Sequence, residues 1–104
     1  MGTKQYKLRV LPLFEDDLTE IVDYITLRLQ NPIAAEKLVD ALEAAIHERL
    51  PFAEAFEPYS SAKIRREVYY RIQVKNFTIF YVVLDDVMEV RRVLYSRMDL
   101  KKLL

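Results

Sequence analysis

Tyr70-Arg-Ile-Gln-Val-Lys-Asn-Phe-Thr-Ile-Phe-Tyr-Val-Val-Leu84 reads as two β-strands folded back on each other, inside a longer region, Ile64–Tyr95, that holds three strands in succession. The first, Ile64–Lys75, sets Val68, Tyr70, Ile72 and Val74 on one face and Arg71, Gln73 and Lys75 on the other, the pattern of a half-buried strand with a basic outer side. The second, Asn76–Leu84, is almost wholly apolar and rich in β-branched and aromatic residues, as a central strand covered on both sides requires. Asp85-Asp86 turns it into the third, Val87–Tyr95, where Val90, Arg92 and Leu94 alternate with Glu89, Arg91 and Val93. This order makes an antiparallel meander.

Upstream, Tyr6, Leu8 and Val10 alternate with Lys7 and Arg9 in a short first strand that Pro12 ends. From Phe14 the period changes, and Phe14, Leu18, Ile21, Val22, Ile25 and Leu29 fall on one stripe of a helix whose first turn is crowded by Glu15, Asp16 and Asp17. Asn31-Pro32 supplies an N-cap and a first helical proline for a second helix, about Pro32 to Leu50, with Ala34, Leu38, Ala41, Leu42, Ala45 and Ile46 on its apolar side. So short a connection makes the two helices an antiparallel hairpin. Pro51 ends the second helix, and an irregular segment, Phe52–Ala62, leads into the meander. The chain of 104 residues is expected to form one domain, 1–104, of α+β class: an N-terminal strand, a helical hairpin and a three-stranded antiparallel meander, with the helices packed on one face of the sheet.

Composition narrows the chemistry. There is no cysteine, which removes thiolate nucleophiles and thiolate metal sites. The one glycine, Gly2, cannot build a phosphate-cradling loop, and His47 is the one histidine, so neither a metal nor a cofactor is expected. No apolar run reaches the ~20 residues of a membrane span, and a soluble cytoplasmic protein without membrane contact is expected. The net charge of zero divides unevenly: residues 1–62 carry 6 basic and 11 acidic groups, residues 63–104 carry 10 and 5. This asymmetry suggests an anionic partner for the sheet half, or docking of that half on the acidic one. Lys63, Arg65, Arg66, Tyr69, Arg71, Lys75, Arg91, Arg92, Tyr95, Arg97, Lys101 and Lys102 are groups that can hold phosphate through their cations and stack bases on their phenol rings. Arg91 and Arg92 also fit an ordinary strand with one on each face, and Tyr70 and Tyr81 fit core packing.

Three stretches resemble the RelE/ParE superfamily of toxins from bacterial type II toxin–antitoxin modules. Phe14-Glu-Asp-Asp-Leu-Thr-Glu-Ile-Val-Asp-Tyr-Ile25 is similar to the family's first helix, Tyr70–Val82 to its central strands and Val90-Arg-Arg-Val-Leu-Tyr-Ser-Arg-Met-Asp-Leu100 to its closing strand. The resemblance implies a toxin that inhibits translation by ribosome-dependent mRNA cleavage, with Arg71, Tyr95 and Arg97 as catalytic residues and Lys63, Arg65, Lys75, Lys101 and Lys102 binding RNA. The alternatives it admits are a ParE-like poison of DNA gyrase that needs no nuclease residues, or a degenerate toxin that only binds its antitoxin and regulates its own operon. Three departures bear on the choice: Thr78 stands where the nucleases carry a catalytic arginine, Leu103 falls near their terminal tyrosine, and Tyr95 replaces a histidine common in relatives. The implied partners are a cognate antitoxin, in a hetero-oligomer with the toxin, and either the ribosome with mRNA or gyrase.

Overall fold

The computed structural model describes residues 5–59 and 67–97. Within them the order is β1 (Lys7–Val10), α1 (Pro12–Asp23) continued by a π-helical turn (Tyr24–Arg28), α2 (Pro32–Arg49), a 3-10 turn (Leu50–Phe52), then β2 (Tyr69–Val74), β3 (Phe77–Leu84) and β4 (Val87–Tyr95). The architecture is the expected α+β arrangement. The residues 64–66 assigned to the first meander strand lie outside the described part.

The four strands form one sheet in the order β1-β4-β3-β2. The meander is antiparallel throughout, and β1 joins its far side by pairing parallel with β4, Lys7 opposite Val87 and Val10 opposite Val90. A parallel neighbour requires a crossover, and the helical hairpin together with the rest of the chain provides it. Both meander turns hold two residues, and each places a non-glycine residue in the left-handed region, Lys75 at φ 53° and Asp85 at φ 58°.

Pro12 opens α1 rather than closing a strand, a position where its missing N–H costs nothing. Because the helix starts there, Asp16 and Asp17 lie beyond its first turn. Asp17 takes a different role: its carboxylate accepts from Arg92 Nε at 2.7 Å and Nη2 at 2.9 Å and from the backbone N–H of Val93 at 3.2 Å. β1 pairs with β4 only as far as Val90, so this carboxylate covers the open edge of β4 beyond it. On α2 the Asn31 side chain accepts from Ala34 N at 3.1 Å, the cap read from the sequence.

Leu38, Leu42 and Ile46 of α2 and Phe14 of α1 pack on Ile72, Val74, Phe77, Ile79, Tyr81, Met88, Val90 and Val93 of the sheet. Tyr81 is fully buried, stacks on Tyr70 at 5.2 Å, donates its hydroxyl proton to the Ala53 carbonyl at 2.7 Å and accepts from Arg49 at 3.0 Å. Burial raises the Tyr81 phenol above its ordinary pKa, against the opposing pull of Arg49. Arg49 also reaches the Arg71 carbonyl at 3.3 Å and lies over the Phe56 ring at 3.5 Å, which ties the end of α2 to the sheet.

Two local irregularities depart from the simple periodicities. In β4 the register shifts by one between Phe80 and Tyr81, so that Phe80 faces Arg92, Tyr81 faces Val90 and Arg91 is the extra residue of a β-bulge. Val90 and Val93 therefore both enter the helix-side core, although strict alternation would separate them. In the first helix the π-turn carries one more residue than an α-turn, and Leu29, expected on the apolar stripe, is 56% exposed.

Candidate functional site

Paired residues in a sheet point to the same face. Tyr70, Ile72 and Val74 of β2 thus share the helix side with Phe77, Ile79 and Tyr81 of β3. The other face carries Tyr69, Arg71 and Gln73 of β2 and Thr78, Phe80 and Val82 of β3, with Glu89, Arg92 and Leu94 of β4 beside them. No described helix packs on this open face, yet Thr78, Phe80, Val82, Glu89 and Leu94 are buried there. Tyr59 approaches Phe80 edge-on at 5.5 Å and is held by its backbone N–H donating to the Tyr69 carbonyl at 2.7 Å.

Two polar networks occupy the ends of that face. Toward the β2–β3 turn, Thr78 donates to Gln73 Oε1 at 3.0 Å and lies 2.8 Å from the Ser96 hydroxyl, while Gln73 Nε2 donates to Ser96 at 2.8 Å and to the Lys75 carbonyl at 2.9 Å. Toward the other end, Arg91 makes a bidentate pair with Glu67 at 2.7 and 2.6 Å and donates to Glu89 at 2.9 Å and to the Tyr69 hydroxyl at 3.1 Å. Glu89 also accepts from Arg9 at 2.9 Å, so the chain of charges Arg9, Glu89, Arg91, Glu67 alternates in sign across the sheet. The hydrogen bonds from Arg91 hold the Glu67 carboxyl below the usual range. Burial pulls the Glu89 carboxyl upward, but the hydrogen bonds from Arg9 and Arg91 outweigh it and leave the group depressed. The Glu67 pair raises Arg91, and the Asp17 pair raises Arg92. Both arginines are thus engaged by carboxylates.

Of the residues singled out from the sequence, Arg71 lies exposed on the open face, its guanidinium 5.0 Å from the Tyr59 ring. Lys75 is exposed in the β2–β3 turn, and Arg97 is exposed just beyond β4. Ser96 N donates to the Asn76 carbonyl at 2.9 Å, which brings that turn against the end of β4 and places Lys75 and Arg97 at one corner of the sheet. Tyr95 is 41% exposed and pairs with Phe77, its ring edge-on to that core residue at 5.1 Å. It therefore sits on the helix side, and Arg71 on the other. The bulge at Arg91 is the cause, because one extra residue reverses the facing of everything after it. Lys63, Arg65, Lys101 and Lys102 lie outside the described residues. Among the described residues, no group of three His, Cys, Asp or Glu side chains stands ready to hold a metal, and no helix is long and apolar enough to cross a membrane.

Sequence reasoning passed over Tyr59, Gln73 and Ser96, whose partners come from other elements and leave no local signature. It also passed over a groove of about 340 Å³ between the hairpin and β1. Leu8 and Val10 of β1, Phe14 and Leu18 of α1 and Leu42 and Ile46 of α2 line it, with the exposed Glu15, Glu43 and His47 at its mouth. β1 is an edge strand, and no described strand lies beyond it.

The chain is similar in fold to a chain of a chromosomal ParDE toxin–antitoxin system from P. aeruginosa, with a TM-score of 0.73 and 16% identity over 90% of this chain and 99% of that one. A RelB–RelE antitoxin–toxin complex from Methanococcus jannaschii contains a chain that aligns with a TM-score of 0.47 and 21% identity over 86% and 91% of the two chains. No curated protein matches the sequence. The family model of the ParE toxin of the type II toxin–antitoxin system parDE matches residues 8–100, and the chain belongs to that family.

Proposed function

We propose that this ParE-family toxin acts in the cytoplasm by binding and poisoning DNA gyrase, and that it does not cleave mRNA. One observation carries the reading: Arg71 and Tyr95, the cation and the acid–base candidate of the nuclease alternative, point to opposite faces of the sheet. A phosphodiester in reach of one is screened from the other by the sheet itself. Thr78, at the position of the nuclease arginine, is buried and spends its hydroxyl on Gln73 and Ser96. Arg71 on the open face, and Lys75 and Arg97 at the corner of the sheet, then serve as basic binding groups. Membership in the ParE family supports the same choice.

The antitoxin is proposed to occupy the groove between the hairpin and β1. An apolar floor suits the anchors of a helical or extended segment, the free edge of β1 can accept a strand, and Glu15 and Glu43 at the mouth favour basic flanking residues. Toxin and antitoxin would form a hetero-oligomer.

The basic surface also favours a second reading, ribosome-dependent mRNA cleavage. Two assays on the purified protein separate them: DNA supercoiling and cleavage by gyrase, and translation of a reporter mRNA with mapping of any cuts. Gyrase-dependent DNA breaks with intact mRNA are expected, and Tyr95→Phe, which removes only a hydroxyl, should leave growth arrest unchanged. Ribosome-dependent cuts that Tyr95→Phe abolishes would overturn the proposal. Expression without antitoxin that leaves growth normal would reduce the protein to an antitoxin-binding relic.

A further inference from the structure

The tip of the helical hairpin presents an apolar surface that neither the groove nor the open sheet face uses. Tyr24, Leu27, Leu29 and Ile33 are 55%, 69%, 56% and 66% exposed, all within ten residues of one another in the chain. The backbone is built to hold them outward. Leu29 N donates to the Tyr24 carbonyl at 3.1 Å and Asn31 N to the Ile25 carbonyl at 3.0 Å, and Gln30, at φ 51°, closes the turn in the left-handed region without a glycine. Leu29, which caps the π-turn, stands exposed beyond the core-facing stripe of Phe14, Leu18, Ile21 and Ile25.

The charges around the patch indicate its partner. Between residues 23 and 37 stand Asp23, Arg28, Glu36 and Lys37, all exposed, two of each sign, and no ion pair among the described residues uses any of them. The mouth of the groove is acidic and the open sheet face is basic, so those surfaces fit partners of opposite charge. A balanced rim fits another balanced rim, and a two-fold axis through the tip can set Arg28 of one copy against Asp23 or Glu36 of the other. Four side chains exposed to this extent make an apolar patch of roughly 400 Å². Two such patches with their rims approach the lower end of specific interfaces, ~1,200 Å² in total, which corresponds to weak, reversible association.

We propose that the hairpin tip is a self-association surface through which two copies of this chain form a symmetric dimer in the micromolar range. Ile33 and Lys37 lie one helical turn apart, as do Asp23 and Leu27 across the start of the π-turn, so the charges flank the apolar centre. The dimer leaves the antitoxin groove and the basic sheet face open, and it does not depend on which target the toxin has.

Sedimentation velocity of the full chain from about 1 to about 200 µM tests this directly. The dimer fraction should rise through that range for the wild type. Leu27→Asp and Ile33→Asp should each weaken association by about tenfold or more, a loss of about 1.4 kcal/mol, with an unchanged thermal midpoint because both side chains are exposed. Leu13→Asp, an exposed leucine at the start of α1 outside the tip, should dimerise like the wild type. A wild type that is monomeric throughout, a Leu27→Asp variant that dimerises normally, or a Leu13→Asp variant that dissociates as readily as Leu27→Asp would each overturn the proposal.

Discussion

The two faces of β3 are buried to the same degree and by different means. Toward the helices, Phe77, Ile79 and Tyr81 meet other apolar side chains, where size and apolarity are the main requirement. On the open face, Thr78, Phe80 and Val82 lie between two sets of directional contacts: Gln73, Thr78 and Ser96 at one end, and Arg9, Glu89, Arg91 and Glu67 at the other. The first face is held by the hydrophobic effect, the second by specific pairs as well. The pairs also sort the arginines. Those bound to carboxylates, Arg91 and Arg92, belong to the fold, whereas Arg71 and Arg97 have no ion pair among the described residues and can meet a ligand.

The largest effect should come from the helix side. Ile79 is fully buried, and Ile79→Ala should destabilise by about 2–5 kcal/mol in denaturant unfolding, since transfer and cavity terms add. On the open face, Glu89→Gln leaves Arg9 and one of the four Arg91 hydrogen bonds without their carboxylate and should cost about 1–3 kcal/mol. The same group gives a pH signature. Glu89 and Glu67 have folded pKa values below their ordinary 4.5, so their contribution is complete above about pH 4.5 and is lost as pH falls through the lowered values. Thermal melts of the wild type should therefore fall off more steeply on the acid side than those of Glu89→Gln. Parallel acid limbs would mean that the network adds nothing to stability.

A smaller change, about 1 kcal/mol, is expected for Thr78→Val, which keeps the shape and removes a hydroxyl from the Gln73 and Ser96 network. The smallest belongs to the double variant Arg71→Ala with Arg97→Ala, which should shift stability by no more than about 0.5 kcal/mol. Growth arrest should nevertheless be lost, because these are the exposed cations of the proposed binding surface. A double variant that unfolds would instead place Arg71 and Arg97 with Arg91 among the structural arginines.

Much of this division is legible in the sequence. The alternation around Ile72 and Val74 assigns Arg71 to the open face, the apolar run through Phe80 requires cover on both sides, and Asn31-Pro32 marks the restart of the helix. Each rests on a repeat or a cap spanning a few residues, which the chain encodes locally. The site is less legible. Nothing near Asp17 indicates that it clamps a strand edge 75 residues away, and nothing near Arg9 points to Glu89, 80 residues on.

The amino-acid sequence alone thus settles the kind and order of the strands and α-helices and the inward side of the regular ones, such as β2, because periodicity is a local property. Tertiary packing decides the rest. It places β1 parallel to β4, leaves Leu29 exposed at the end of the π-turn, and inserts the bulge at Arg91 that sends Tyr95 to the side away from Arg71. A one-residue shift of register leaves the sequence pattern almost unchanged while reversing the facing of every later side chain, and only the fit of distant strands against one another selects between the two.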